Sequence, residues 1–187
     1  MKFAQFKRIL TAPKSFFLTV ALLFFVVFSL LQVVRPLQER LVLAATSTAT
    51  IEDTVIGTGN NQFEYVGTWV KCGGCQPTTS NNSFYYSYTV NSKVNLRFVG
   101  NQVKVYGVKE KTGGIVSVSI DGGTPVMVDT YAASSVATVI YTSPILSTGN
   151  HTITLNNTNQ KNAAATGNVL VIDKADILQV DTTPTVT

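Results

Sequence analysis

Val94-Asn-Leu-Arg-Phe98, continued by Val99-Gly-Asn-Gln-Val103-Lys-Val-Tyr106, decides the fold. Val94, Leu96 and Phe98 fall on one side of an extended chain, while Asn95 and Arg97 fall on the other, which is the period of a half-buried strand. Gly100-Asn101 reads as a two-residue hairpin turn. Val103 and Val105 then alternate with Lys104 and Tyr106.

The same texture extends outward in both directions. Val116, Val118 and Ile120 alternate with Ser117 and Ser119, and Asp121-Gly-Gly123 turns that strand back into Val126-Met-Val128. Upstream, strand-like runs cover 51–56, 63–69 and 84–89. Downstream they cover 138–141, 151–155 and 168–180. About ten short strands, bounded by turn residues and without a helix-period stretch between them, predict an all-β antiparallel sandwich or barrel over 51–180. Parallel α/β folds are excluded, because they need crossover helices. Residues 181–187 read as a tail or linker stub.

The leader has a different character. Residues 1–14 carry Lys2, Lys7, Arg8 and Lys14, whereas residues 15–34 carry no charge. Twenty helical residues at about 1.5 Å each span roughly 30 Å, the thickness of a bilayer core. The basic flank places that end in the cytoplasm and the rest outside. Two fates fit: a retained single-pass membrane anchor, or a signal peptide cleaved after Ala44. Either way the chain is expected to be exported, with 35–50 as a spacer.

Six of the 14 basic residues and one of the 10 acidic ones lie in residues 1–44, so the remainder carries eight bases and nine acids, a net charge of −1. No basic patch remains that would recognise nucleic acid. Cys72 and Cys75, in Lys-Cys-Gly-Gly-Cys, read as a local disulfide in an oxidising compartment. A redox site would want a following helix, and zinc would want more ligands than two Cys and one His.

Taken together, Tyr65-Val-Gly-Thr-Trp69, Phe98 to Gly107, Val118-Ser-Ile-Asp-Gly-Gly123, Val128-Asp-Thr-Tyr131, Gly149-Asn-His-Thr-Ile153 and Val171-Ile-Asp173 resemble the galactose-binding-like jelly rolls. The likeness is greatest to family 6 and family 35 carbohydrate-binding modules of bacterial glycoside hydrolases. It implies a jelly-roll β-sandwich and two kinds of site. One is a structural calcium held by Glu52, Asp53 and Asp173, with Asp176 as a spare; the alternative is that these are ordinary strand-end acids. The other is a sugar-binding face built on aromatic platforms. Trp69, Tyr85, Tyr86, Tyr88, Tyr106 and Tyr131 are its candidates, with Asn81, Asn82 and Asp129 beside them; Trp69, Tyr85, Tyr131, Asp129 and Asn82 are the chosen set. Trp69 is open to a core reading as well. Alternation in Phe84-Tyr-Tyr-Ser-Tyr88 puts Phe84, Tyr86 and Tyr88 inward and Tyr85 outward.

No residue set suggests catalysis. His151 opens a strand, where a histidine more often packs and pairs with backbone, and no nucleophile elbow or distinguished carboxylate pair is present. The expected function is therefore a membrane-tethered, non-catalytic module that binds a cell-wall or environmental glycan. The rival expectation is a structural or adhesion domain acting through protein contacts or self-association.

Overall fold

The computed structural model describes residues 45–75 and 78–180. The expected membrane or signal segment, residues 15–34, and the tail, residues 181–187, lie outside them. Among the described residues no helix is long and apolar enough to cross a membrane.

Twelve strands run through this part: β1 (Ala45–Glu52), β2 (Gln62–Val66), β3 (Val70–Gly73), β4 (Ser83–Ser87), β5 (Lys93–Gly100), β6 (Gln102–Lys109), β7 (Gly114–Ile120), β8 (Val126–Asp129), β9 (Val136–Thr142), β10 (Gly149–Lys161), β11 (Leu170–Ile172) and β12 (Lys174–Val180). One 3-10 turn, Ser80–Asn82, interrupts them. They form a five-stranded sheet in the order β2-β5-β10-β7-β8, a four-stranded sheet β1-β12-β6-β9 and a small sheet β11-β4-β3. Every ladder between these strands is antiparallel. β1 already pairs with β12 at Ala45, so residues 45–50, read as spacer, belong to the sheet.

The core lies where the sheets face one another. Phe63, Val94, Leu96, Phe98, Val116, Val118, Ile153 and Leu155 come from the five-stranded sheet. Ile51, Val103, Val105, Ile140, Ala175 and Ile177 come from the four-stranded one, and Leu170 and Ile172 from the small one. Val94, Leu96 and Phe98 are inward as the alternation requires, and Phe98 is fully buried. This is the antiparallel β-sandwich expected of sheets that each bury one face.

Gly100-Asn101 is not a hairpin turn. β5 pairs with β2 and β10, whereas β6 pairs with β12 and β9, so the dipeptide carries the chain from one sheet to the other. Neither residue has the positive φ that a type I′ turn demands. The corner is tight instead: a Cβ on Gly100 would sit 2.9 Å from the Leu178 carbonyl oxygen, and the Asn101 N–H donates to that oxygen at 3.1 Å. Asp121-Gly122 does make the predicted return, with Val118 opposite Val126.

Candidate functional site

The small sheet separates two clusters of side chains, one on each face of β4. Ser83, Tyr85 and Ser87 project toward the sandwich interior. Phe84 and Tyr86, with Tyr88 just beyond the strand, project the other way. The expected split of this strand holds only in part: Phe84 and Tyr86 pack on a buried cluster of their own, but Tyr85 is half-buried too rather than outward, and Tyr88 is exposed. Period-2 alternation assigns residues to two faces, but it does not say which face is inside when both carry aromatic rings.

On the inner face Tyr85 stacks on Tyr65 at 4.5 Å between centroids, and Tyr65 meets Trp69 at 4.9 Å. Trp69 is pinned: its indole N–H donates to the carbonyls of Val66 and Lys93 at 3.2 and 3.1 Å, and its ring packs on the core. Tyr65 donates its hydroxyl to the Asp53 carbonyl at 3.1 Å. Burial raises that phenol well above its usual range, and the charges of Asp53, Tyr85 and Asp173 push the same way.

Behind the stack, β1 and the β11–β12 junction bring three carboxylates together, because the Asp53 N–H donates to the Asp173 carbonyl at 3.0 Å. Asp53 and Asp173 are buried. The 3-10 turn and the start of β4 supply donors to all three. The Ser80 N–H reaches Asp173 Oδ1 at 2.9 Å, the Ser80 hydroxyl reaches Glu52 Oε1 at 2.9 Å, and the Ser83 hydroxyl reaches Asp53 Oδ1 at 2.8 Å. Glu52 Oε2 and Asp53 Oδ2 remain buried without a partner. Burial pushes Asp173 up to about 6 and raises Asp53 as well, in each case against the hydrogen bond from its serine.

Buried acceptors without donors are what a bound cation would satisfy, and hard oxygen ligands are what calcium takes. Among the described residues no three acidic, Cys or His side chains could hold an ion by themselves. The carboxylates fit calcium only as part of a larger oxygen set, with main-chain carbonyls, serine hydroxyls or water completing the usual six to eight. Beside this pocket an open 420 Å³ cavity is lined by Thr78, Ser80, Tyr106, Thr138, Asp173 and Lys174, among others. Lys174 Nζ lies 4.8 Å above the Tyr106 ring there, and Asp176 accepts from Thr50 on the same sheet.

The outer face of β4 opens on a shallow 210 Å³ groove lined by Phe84, Tyr86, Tyr88, Glu110, Val169 and Val171, with the Cys72–Cys75 disulfide at its edge. Tyr86 stands at 6.0 Å from Phe84 and edge-on to Tyr88 at 5.7 Å. Val169 and Val171 form the apolar floor, backed by the buried Val108, and Tyr88 is 52% exposed. Asn157 donates to the Ser87 carbonyl at 3.1 Å and to the Asn168 carbonyl at 2.9 Å. The segment holding Tyr131 runs beside Glu110, whose N–H and carbonyl bond to Thr130 and Ala132. Asp129 accepts from the Tyr131 N–H at 2.9 Å and from the Asn162 amide at 2.7 Å.

The five residues chosen from sequence are thus divided. Tyr131 pairs with the groove's Glu110 and Asp129 accepts from the Tyr131 N–H, though neither lines the groove; Trp69 and Tyr85 belong to the inner stack, and Asn82 sits in the 3-10 turn with a left-handed backbone, its carbonyl accepting from Gly74. Phe84, Tyr86, Tyr88 and Glu110 define the groove. Tyr86 and Tyr88 were legible as aromatic candidates, whereas Glu110 sat in a loop with no pattern to mark it.

His151 is structural. Its Nδ1 meets Asp121 Oδ2 at 2.7 Å and its Nε2 meets the Ser147 carbonyl at 2.7 Å. A carbonyl and an ionised carboxylate both accept, so the doubly protonated ring satisfies both contacts. The Asp121 hydrogen bond, then the Ser147 carbonyl, raise the His151 pKa against the effect of burial. Burial raises Asp121, but the His151 and Thr152 hydrogen bonds outweigh it and leave its pKa lowered. A raised histidine contributes stability below about pH 6.5 that fades as pH climbs through the folded value; a lowered aspartate loses its contribution only in acid, below about pH 4. Because Asp121 is half exposed, the pair is expected to contribute about 0.5–1 kcal/mol near pH 5–6 and less by pH 8.5. Urea midpoints for the wild type and His151→Gln at those two pH values check this; equal pH dependence in both proteins would refute it.

No family model and no curated protein matches the chain. Solved structures do. Part of a Paenibacillus xanthan lyase matches with a TM-score of 0.51 at 17% identity, over 71% of this chain and 13% of the lyase. The CBM36-1 domain of a multidomain xylanase from the hindgut metagenome of Trinervitermes trinervoides matches with a TM-score of 0.45 at 18% identity, over 72% of this chain and 96% of that domain. The Podospora anserina GH26-CBM35 β-(1,4)-mannanase matches with a TM-score of 0.44 at 13% identity, over 73% of this chain and 28% of the mannanase. At these identities the likeness is one of fold alone, and the chain spans only about an eighth of the lyase's length.

Proposed function

We propose that this chain is an exported, non-catalytic carbohydrate-binding-like module that holds a cell-wall or environmental glycan in the groove on the outer face of β4. Residues 15–34 tether it to the membrane, or release it after cleavage at Ala44. The observation that carries the reading is the groove itself: Phe84, Tyr86 and Tyr88 side by side over an apolar floor, with the Glu110 carboxylate at their margin. A pyranose presents an apolar C–H face and a rim of hydroxyls, so it suits aromatic rings bordered by polar acceptors. The commitment of both His151 ring nitrogens supports a binding role over a catalytic one. Calcium in the Glu52, Asp53 and Asp173 pocket is part of the same proposal, as a structural ion that fixes β1 against β4 and β12.

Affinity measurements of the full chain against xylan, mannan and xanthan test the groove. Tyr88→Ala, and separately Tyr86→Ala, is expected to weaken binding about tenfold, since an aromatic contact of this kind contributes roughly 1–1.5 kcal/mol. Binding that survives both substitutions would place the ligand elsewhere. No binding to any of the three, with concentration-dependent assembly in its place, would replace the proposal by a structural or adhesion role.

A further inference from the structure

We propose that the Cys72–Cys75 disulfide is itself a wall of the binding groove, and that the groove keeps its ligand only while that bond is intact. This rests on the glycan-binding reading above.

Both cysteines line the same cavity as Phe84, Tyr86, Tyr88 and Glu110. Cys72 stands opposite Phe84 in the β3–β4 ladder, so its side chain emerges on the aromatic face. Cys75 lies past the end of β3, beyond Gly74 with its φ of +79°. The ladder ends at Gly73 opposite Ser83, and one further backbone bond, from the Gly74 N–H to the Asn82 carbonyl, lies beyond it. The sulfur–sulfur bond is therefore what returns Cys75 to the groove, with the two Cα atoms 5.9 Å apart.

The two sides of the groove are built differently. Val169 and Val171 on one side are buried against Val108. On the other side β3 is the edge of its sheet, next to β4 alone. Its residues Val70, Lys71 and Gly73 are exposed, so the edge has little packing to hold it. A disulfide that closes a loop this short does little to restrict the unfolded chain, because the entropic gain grows with loop length. Its position suits local shaping better: two soft, polarisable sulfurs at the edge of aromatic rings extend the apolar surface on which a sugar face rests.

A dithiol reductant supplies two electrons and two protons, leaving Cys72 and Cys75 as thiols and itself as a cyclic disulfide. Binding of the full chain to xylan, mannan and xanthan is compared before and after dithiothreitol, and in the Cys72→Ser/Cys75→Ser double variant. Both treatments are expected to weaken binding about tenfold. Gly73→Ala, whose added Cβ meets nothing within 4 Å, is expected to leave binding unchanged. Undiminished binding after reduction, while Tyr88→Ala still weakens it about tenfold, would make the disulfide a turn staple only and leave the groove reading standing. Failure of the oxidised chain to bind any of the three glycans would overturn both. If the double variant misfolds, ring resonances of the reduced native protein decide. Shifts at Tyr86 and Tyr88 without shifts at Tyr65 and Tyr85 are expected, and unchanged Tyr86 and Tyr88 signals would refute the inference.

Discussion

Phe98→Ala is expected to destabilise the sandwich by about 3–5 kcal/mol, the range for removing a buried aromatic ring from a packed core. Phe98 is fully buried near the middle of β5, which is hydrogen-bonded on both sides, and its ring lies 5.6 Å from that of His151. Backbone ladders on both sides hold β5 in place, so the surroundings have little freedom to collapse into the void. Single domains are stable by roughly 5–15 kcal/mol, so this one ring accounts for a large share. The melting temperature is expected to fall by about 10–20 °C. Val99→Ala, one residue on and 50% exposed, should change stability by less than about 0.5 kcal/mol. Urea unfolding of both variants with an unchanged denaturant slope is the check, and comparable losses at the two positions would contradict the assigned register.

That contrast shows where the sequence was readable. Val94, Leu96 and Phe98 alternate with polar residues because one face of β5 is buried and the other is wet, and a one-residue slip would exchange them. Val116 and Val118 on β7 and Ile153 and Leu155 on β10 follow the same rule. Gly100-Asn101 misled because a tight hairpin and a corner between sheets both need a residue without a side chain. The difference lies in which strand passes alongside, here β12 through Leu178. The run from Asn168 to Val180 looked continuous, yet Asp173 divides it into β11 and β12, whose partners are β4 in one sheet and β1 and β6 in another.

The sites were legible in composition and less so in arrangement. Glu52, Asp53 and Asp173 were named only because the family resemblance implies acids at those places, and the fold brings them together where the Asp53 N–H meets the Asp173 carbonyl. Their shared partners, Ser80 and Ser83, are ordinary residues in a loop, and nothing local marks them. The aromatic groove was harder. Strand β4 carries rings on both faces, and the choice between them depends on Asp53 and Tyr65 occupying one side and Val108, Val169 and Val171 the other. Those contacts join residues far apart in the chain, so local periodicity carries no record of them.

Calcium at a hundredfold excess over its dissociation constant is expected to stabilise the protein by about 2.7 kcal/mol, and so to raise its melting temperature by about 10 °C. The argument starts from Glu52 Oε2 and Asp53 Oδ2, two buried carboxylate oxygens without donors. Asp173 lies in the same pocket, and Ser80 and Ser83 satisfy one oxygen on each acid. Three carboxylates held this close repel one another, and a divalent cation would reverse that repulsion while filling the open acceptor positions. Magnesium should do less, because it demands near-octahedral geometry and gives up its water reluctantly. Asp53→Asn and Asp173→Asn each remove a charged ligand and should abolish most of the calcium-induced shift. Neither is expected to cost much stability in chelator, where the amide relieves the like-charge contact. Thermal melts of the wild type and both variants in calcium and in chelator decide it. Coincident wild-type melts under the two conditions would reduce the pocket to a hydrogen-bonded acid cluster. Equal calcium shifts in all three proteins would move the ion to another part of the chain.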